Sequence, residues 1–487
     1  MKQRYPCNPS RPIFPEGRDN LLTKSDFLLY LDAPMHLWAK AHDALAPETL
    51  PPLIQHLIRQ GQEVEALART YLEEVVLPGY ADAQFFWQPA YEDGQYQIRA
   101  DGLIYDLEAG VYDLYEIKSS TSVKADHIYG LTFQALVLAE FLTLRHTYLV
   151  HIDNGYQREE TLDLARFFTA EDVTAEVDRN RVAVRQAREA ARTVAALRTA
   201  RPDFACTKPE TCPCPDLCHP DLPDHPIYDL PRIGKKALKL REMGVTAIED
   251  IPPDFPLSAK QAQVVRVTRS GQAEIDADAI KQDLAELTFP LSFLDYEAFG
   301  PAVPLFAGYR PYEQVVFQYS LHILIAPDAE AAHHACLITA NEDPAPALAA
   351  DLLANLPTTG SVVVWNRGAE KRYNQNLARH FPARRDELLA INKRLYDLIR
   401  PFRSGHYIHP ASHGSASLKA VLPALCPDLS YETLPIQDAQ EAMLTWYRLQ
   451  RGDIDPEEET AMRDSMLAYS RRDTFGMVAI WRHLNNL

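Results

Sequence analysis

Apolar and polar residues alternate with period two through VYDLYEIK, at the end of RADGLIYDLEAGVYDLYEIKSS (residues 99–120). That period predicts a strand, and the stretch as a whole reads as two strands joined by a turn. Glu116 and Lys118 fall on one face of the second strand and Ile117 on the other, while Asp101 belongs to the first. Around this hairpin the period changes to that of helices. A pattern of Phe27, Leu28 and Leu31 starts behind Thr23 or Ser25 as N-cap and is broken or restarted by Pro34. LIQHLIRQGQEVEALARTYL predicts a second helix, with Gly61 and Glu65 four apart. TSVKADHIYGLTFQALVLAEFL reads as a loop entering an apolar helix with Gln134 inside its hydrophobic run. TYLVHID predicts a strand, and residues 171–197 a long charged helix.

Farther on, FPLSFLDYEAFG is an apolar strand with Asp295 and Glu297 on one face. GSVVVWNRGAEKRYNQNLA reads as a strand, a turn and a helix with Glu370 in its first turn, and RLYDLIRPF carries Asp397. In PYEQVVFQYSLH, Phe317, Tyr319 and Leu321 share a strand face opposite Gln318 and His322, which are assigned structural roles. MLAYSRRDTFGMVAIWRHL is a helix with Tyr469 and Asp473 at i and i+4, hence on one side.

Composition narrows the class. At 487 residues the chain has room for two or three domains, and 46% hydrophobic with 24% charged residues is a soluble globular balance. No run is long enough to span a bilayer, and MKQRYPCNPSRPIFPEG lacks the apolar core of a signal peptide, so a cytoplasmic protein without a membrane partner is expected. A net charge of −18 argues against a protein that coats nucleic acid, but not against an enzyme that acts on it through a local basic groove. Four of the seven cysteines, Cys206, Cys212, Cys214 and Cys218, crowd into FACTKPETCPCPDLCHP. Thiolates this close among prolines suit zinc or a cluster in a reducing compartment. His219 is a further candidate ligand.

These residue types suggest one chemistry. Asp101 and Glu116 offer hard oxygens to a divalent cation, and Lys118 can steady an attacking water or a phosphate. Glu65 is either a third ligand or an exposed helix acid; Gln134 either meets substrate or satisfies backbone. Asp295, Glu297, Glu370 and Asp473 can hold two cations for in-line attack on a phosphodiester, with Tyr469 orienting the water. Ile233-Gly234-Lys235-Lys236 reads either as the turn of a helix-hairpin-helix meeting a phosphate or as part of a helical linker.

Residues 20–218 resemble the RecB-like branch of the PD-(D/E)XK nucleases, close to the CRISPR-associated nucleases that carry an iron–sulfur cluster. The features shared are SDFLLYLDAPMHLW, Gly61-x3-Glu65, Asp101, Glu116-x-Lys118, Gln134 and the cysteines. The resemblance implies Mg²⁺ or Mn²⁺ at Glu65, Asp101 and Glu116, catalysis by Lys118, Gln134 near the substrate, and a 4Fe-4S cluster in preference to Zn²⁺. Three positions depart from it: Glu65 stands where His is common, Leu138 where Tyr is usual, and Ala33 where the first cluster cysteine would be. The fourth ligand is then Cys214 or Cys7, or the cluster is lost.

The C-terminal part resembles DnaQ-type, RNase H-like 3′–5′ exonucleases of the tyrosine subtype. That implies metal ligands Asp295, Glu297 and Asp473, with Tyr469 placing the water. Asn366-x3-Glu370 stands for the usual Asn-x3-Asp. With PYEQVVFQYSLH and GSASLKAVLPAL, the whole chain resembles an uncharacterised bacterial family joining two such domains. The expectation is an α/β protein with two mixed-sheet, nuclease-like domains. A RecB-like domain with its Cys cluster covers 20–220, a helical connector 226–284, and an exonuclease-like domain 286–487. Its expected activity is Mg²⁺/Mn²⁺-dependent hydrolysis of nucleic acid, DNA before RNA, in repair or defence. The alternatives are an RNA-directed enzyme, and a nucleic-acid-binding or scaffold protein with one or both centres inactive.

Overall fold

In the computed structural model, which describes residues 21–45 and 51–487, the chain is mixed α/β and divides into two units. The first comprises residues 1–221 with 301–312, the second 222–300 with 313–487. The helical connector therefore belongs to the second unit, and a short segment after Gly300 belongs to the first. Cys7 lies outside the described residues.

The first unit is built on a five-stranded sheet. Its strands lie in the order Ala83–Trp87, Gly102–Asp106, Val111–Lys118, Leu144–Ile152, Phe168–Asp172. The first three run antiparallel, the second and third joined by the short turn at 107–110. Val111–Lys118 and Leu144–Ile152 are parallel, joined by the crossover helix Ala125–Leu138. The alternation in Val111–Lys118 serves two cores. Leu114 meets the crossover helix and Val177, Val184 and Ala191 of the helix Thr174–Ala195. Tyr115 and Ile117 meet Val64 and Ala68 of the helix Pro52–Tyr71. Glu116 shares the face of Leu114 and is buried beneath the crossover helix. Asp101 sits just before its strand, not within it. Thr23 is the N-cap of the helix Lys24–Asp32 and forms a capping box with Asp26.

The second unit opens with small helices around Ile227, Leu240, Ile248 and Val264. Before the Ile233–Lys236 turn there is only a 3-10 turn, Ile227–Asp229, and after it the seven-residue helix Lys236–Glu242, so a full first helix of a hairpin is missing there. A five-stranded sheet follows, in the order Ala332–Leu337, Val315–Leu324, Leu291–Phe299, Ser361–Val364, Leu395–Asp397. The central strand Leu291–Phe299 is antiparallel to Val315–Leu324 and parallel to Ser361–Val364, which is parallel to Leu395–Asp397. Leu294 and Tyr296 face a core formed with Leu348, Leu352, Leu377 and Leu388. The opposite face lies against the helix Pro456–Asn485, where Phe293 packs edge-on to Trp481. Gln318 donates to the Met466 carbonyl at 3.0 Å and to Ser470, and His322 Nδ1 lies 2.8 Å from Thr474 Oγ1. Both side chains thus tie sheet to helix. No described helix is long and apolar enough to cross a membrane.

Candidate catalytic centres and a cysteine–histidine cluster

Period-two alternation turns Asp295 and Glu297 toward the helix Pro456–Asn485, whose own repeat turns Tyr469 and Asp473 back toward them. Asp295, Glu297 and Asp473 each bring a carboxylate oxygen into a group whose atoms all lie within 4.8 Å of one another. Glu297 and Asp473 are buried. Burial raises the Asp295 carboxyl well above its usual range, and the charges of Asp473, Glu297 and Glu370 raise it further. Glu297 is raised by burial and by Asp473. Asp473 rises only to about 6, because Tyr431, Lys419 and Tyr469 oppose its burial. Glu370 is pushed to about 8 by burial and Asp397, and its Oε2 is buried without a hydrogen-bond partner. Glu370 lies outside the three-acid group but close enough to bias Asp295. Asp397, also raised by burial, ends its strand.

These acids gather at the carboxyl ends of the parallel strands, where the order of a sheet switches and where ligands of α/β proteins bind. The donor set is hard oxygen throughout, one acceptor is orphaned, and the acids repel each other; a divalent cation meets all three conditions. Two residues of this centre escaped the sequence reading. Tyr431 donates to Asp473 Oδ1 at 2.5 Å. Lys419, exposed on the helix Leu418–Leu425, holds Nζ 5.4 Å from the Tyr469 ring and 5.7 Å from the Tyr431 ring. Lys419 lies in the quoted GSASLKAVLPAL, whereas Tyr431 stands in an aperiodic loop without a motif.

In the first unit, Glu116 accepts from Lys118 at 2.5 Å and Lys24 at 2.7 Å through Oε1, and from Gln134 at 2.7 Å through Oε2. Burial opposes its charge, but the two ammonium groups prevail and hold the carboxyl near 2. Asp101 accepts from the Ile117 amide at 2.8 Å, while burial and then Glu116 push it to about 7. Glu65 is half-buried and engaged by the Gln88 side chain, whose backbone amide donates to the Asp101 carbonyl at 3.1 Å. Asp101 and Glu116 thus neighbour one another and Glu65 is linked to Asp101 through Gln88, but the ligand atoms of the three do not close into one group as the second unit's acids do. Gln134 is fully buried, with Oε1 unpartnered. Lys24 is the residue missed here; its signal was the N-cap at Thr23, which sets it on the first turn.

The cysteine loop folds against the helix Pro34–Ala41. Cys206, Cys212, Cys218 and His36 bring ligand atoms within 4.8 Å of one another, so this group can hold a metal ion. Cys214 is buried, its Sγ 3.7 Å from Cys218 Sγ, and lies outside the four-atom group. His219 Nε2 is 3.2 Å from Cys206 Sγ. His36 was not foreseen; its position reads as the apolar side of a short helix. No curated protein and no solved structure matches this chain. Residues 292–417, which carry Asp295, Glu297, Glu370 and Asp397 but not Tyr469 or Asp473, match a family described as a domain of unknown function (DUF2779).

Proposed function

We propose that this chain is a divalent-metal-dependent nuclease whose principal centre comprises Asp295, Glu297, Asp473 and Glu370, with Tyr469 at its edge. The observation that carries this reading is the convergence of three carboxylates within 4.8 Å at the carboxyl ends of parallel strands. Mg²⁺ or Mn²⁺ bound there would supply Lewis-acid stabilisation of the phosphodiester and activation of water. Asp295, Glu297 and Asp473 present the ligand oxygens. Glu370 offers its unpartnered oxygen beside Asp295. Tyr469, one helical turn before Asp473 and facing the acids, is positioned to orient a water, and Lys419 can take a phosphate oxygen. A cleft of about 640 Å³ on the same helix as Tyr469 and Asp473 has a largely aliphatic lining with Asp464, to which His333, Arg471, Arg472 and Phe475 add positive and aromatic groups. Guanidinium and aromatic groups together suit a single strand.

The same reading makes Asp101, Glu116 and Lys118 a second centre, with Gln134 orienting Glu116 and Glu65 in support. A second reading of that unit has its own observation: Glu116 is already engaged by three donors, Lys118, Lys24 and Gln134. Under it the unit binds nucleic acid without cutting. The test uses wild type, Glu116→Ala, Asp295→Ala and the double variant with Mn²⁺ on matched DNA and RNA. Asp295→Ala is expected to lower one activity by at least about 100-fold, and Glu116→Ala to remove a separable one. If Glu116→Ala alters only affinity, the second reading holds for the first unit. Full activity in the double variant would sink the proposal.

A further inference from the structure

The resemblance to cluster-bearing nucleases implies four cysteines around an iron–sulfur cluster, and the residues present do not fit that group. Ala33, where a cysteine would be needed, is buried beside the cysteine loop and offers no ligand. His36, three residues on, is 1% exposed and presents Nε2 to Cys212 Sγ at 3.6 Å. The spacing of the four ligand atoms sets the size of what they can hold. A tetrahedral zinc ion, with Zn–S about 2.3 Å, has ligand–ligand edges of roughly 3.8 Å. The set here, all within 4.8 Å, is sized for one ion. A cubane places each thiolate outside a different iron and needs a wider cage.

The other ring nitrogen adds an independent argument. His36 Nδ1 is 2.9 Å from Asp32 Oδ2, one helical turn earlier, an ion-pair contact without the alignment of a hydrogen bond. A carboxylate behind a histidine is the usual outer partner of a metal-ligating imidazole, fixing its tautomer and orientation. We propose that Cys206, Cys212, Cys218 and His36 bind a single structural Zn²⁺, with Asp32 orienting His36 and Cys214 outside the ligand set. The ion staples the cysteine loop to the helix Pro34–Ala41, which directly follows the helix that presents Lys24 to Glu116. The inference does not depend on nuclease activity, because its readout is metal content.

Full-length protein purified anaerobically from cells supplied with iron and zinc should contain zinc equimolar with the chain. It should lack acid-labile sulfide and broad visible absorption. Under a competing chelator, His36→Ala should release zinc readily and His36→Cys should retain it. Asp32→Asn should weaken zinc affinity about 10- to 100-fold. Cys214→Ser should behave as wild type, and after Co²⁺ exchange should keep its full thiolate-to-cobalt absorption. Stoichiometric iron with sulfide would overturn the proposal. So would zinc loss from Cys214→Ser, or a cobalt spectrum missing one thiolate's share. Should His36→Ala fail to fold, Cys214→Ser and the cobalt spectrum decide the ligand set alone.

Discussion

Asp473 lies against two tyrosines that do different work. Tyr431 comes from a loop and donates at 2.5 Å; Tyr469 shares the helix of Asp473. Burial and the nearby carboxylates push both phenols far above their ordinary range, so both stay protonated donors. Tyr431 is the largest influence holding the Asp473 carboxyl down against burial. Tyr431→Phe should raise the Asp473 pKa, and protonation then competes with metal at higher pH. The acid limb of the Mn²⁺-dependent rate profile should move up by about one pH unit, with the plateau rate preserved. Tyr469→Phe should lower the plateau kcat about 10- to 100-fold and move the acid limb less than Tyr431→Phe does, because Tyr469 is the weaker of the two influences on Asp473. Rate–pH profiles of the two variants with Mn²⁺ titrations check both outcomes. Matching profiles would remove the distinction between the tyrosines.

At the scale of elements, the central strand Leu291–Phe299 aims its acids through its pairing with Ser361–Val364. Gly360, just before that partner strand, has φ +80° and no room for a side chain: an added Cβ would fall 2.0 Å from the Pro290 carbonyl oxygen. Gly452, at the C-cap of the helix Ala439–Arg451, has φ +68° and open space. Gly452→Ala should cost about 1 kcal/mol, the left-handed strain alone. Gly360→Ala adds a backbone clash and should cost at least about 3 kcal/mol. Thermal unfolding of the two variants measures the difference. The elements themselves were largely legible, because burial on one or both faces writes its period into the residues. That is why Asp295 with Glu297, Glu116 with Lys118, and Tyr469 with Asp473 were read in their observed strands and helices. Residues supplied from across the fold were not legible. Tyr431 and Lys419 reach the acids through contacts that leave no period, and His36 is hidden among the apolar residues of Met35–Leu37. Glu65 fits its predicted helix, yet its partner is Gln88, which alternation could not reveal.

For the whole molecule, five acids whose carboxyls desolvation raises bear on stability. Asp295 and Glu297 are raised well above the usual range, Glu370 to about 8, Asp101 to about 7 and Asp473 to about 6. Where a folded pKa exceeds the unfolded one, the folded chain holds more protons, and stability falls as pH rises between the two values. Buried His322 and half-buried His333, lowered to about 3 and about 4, act oppositely, but their contribution is complete once pH passes their ordinary value of 6.5. From pH 6.5 to 8.5 in chelator, Tm should therefore fall, by roughly 5 °C. Mn²⁺ should abolish the fall, and Asp295→Asn should flatten it without metal. A Tm independent of pH in chelator would contradict this. A last consequence concerns how the gene can be cut. After Gly300, residues 301–312 leave the second unit's central strand for the first unit. There the Ala302 amide meets Gln60 Oε1 at 3.1 Å, Gly308 and Tyr309 pair with the Arg158 backbone, and Tyr312 donates to the Ser119 carbonyl. No single truncation point yields both halves intact: a fragment ending at 221 lacks a stretch encoded eighty codons downstream. Expression of the N-terminal half alone calls for residues 301–312 to be grafted back or supplied as a peptide.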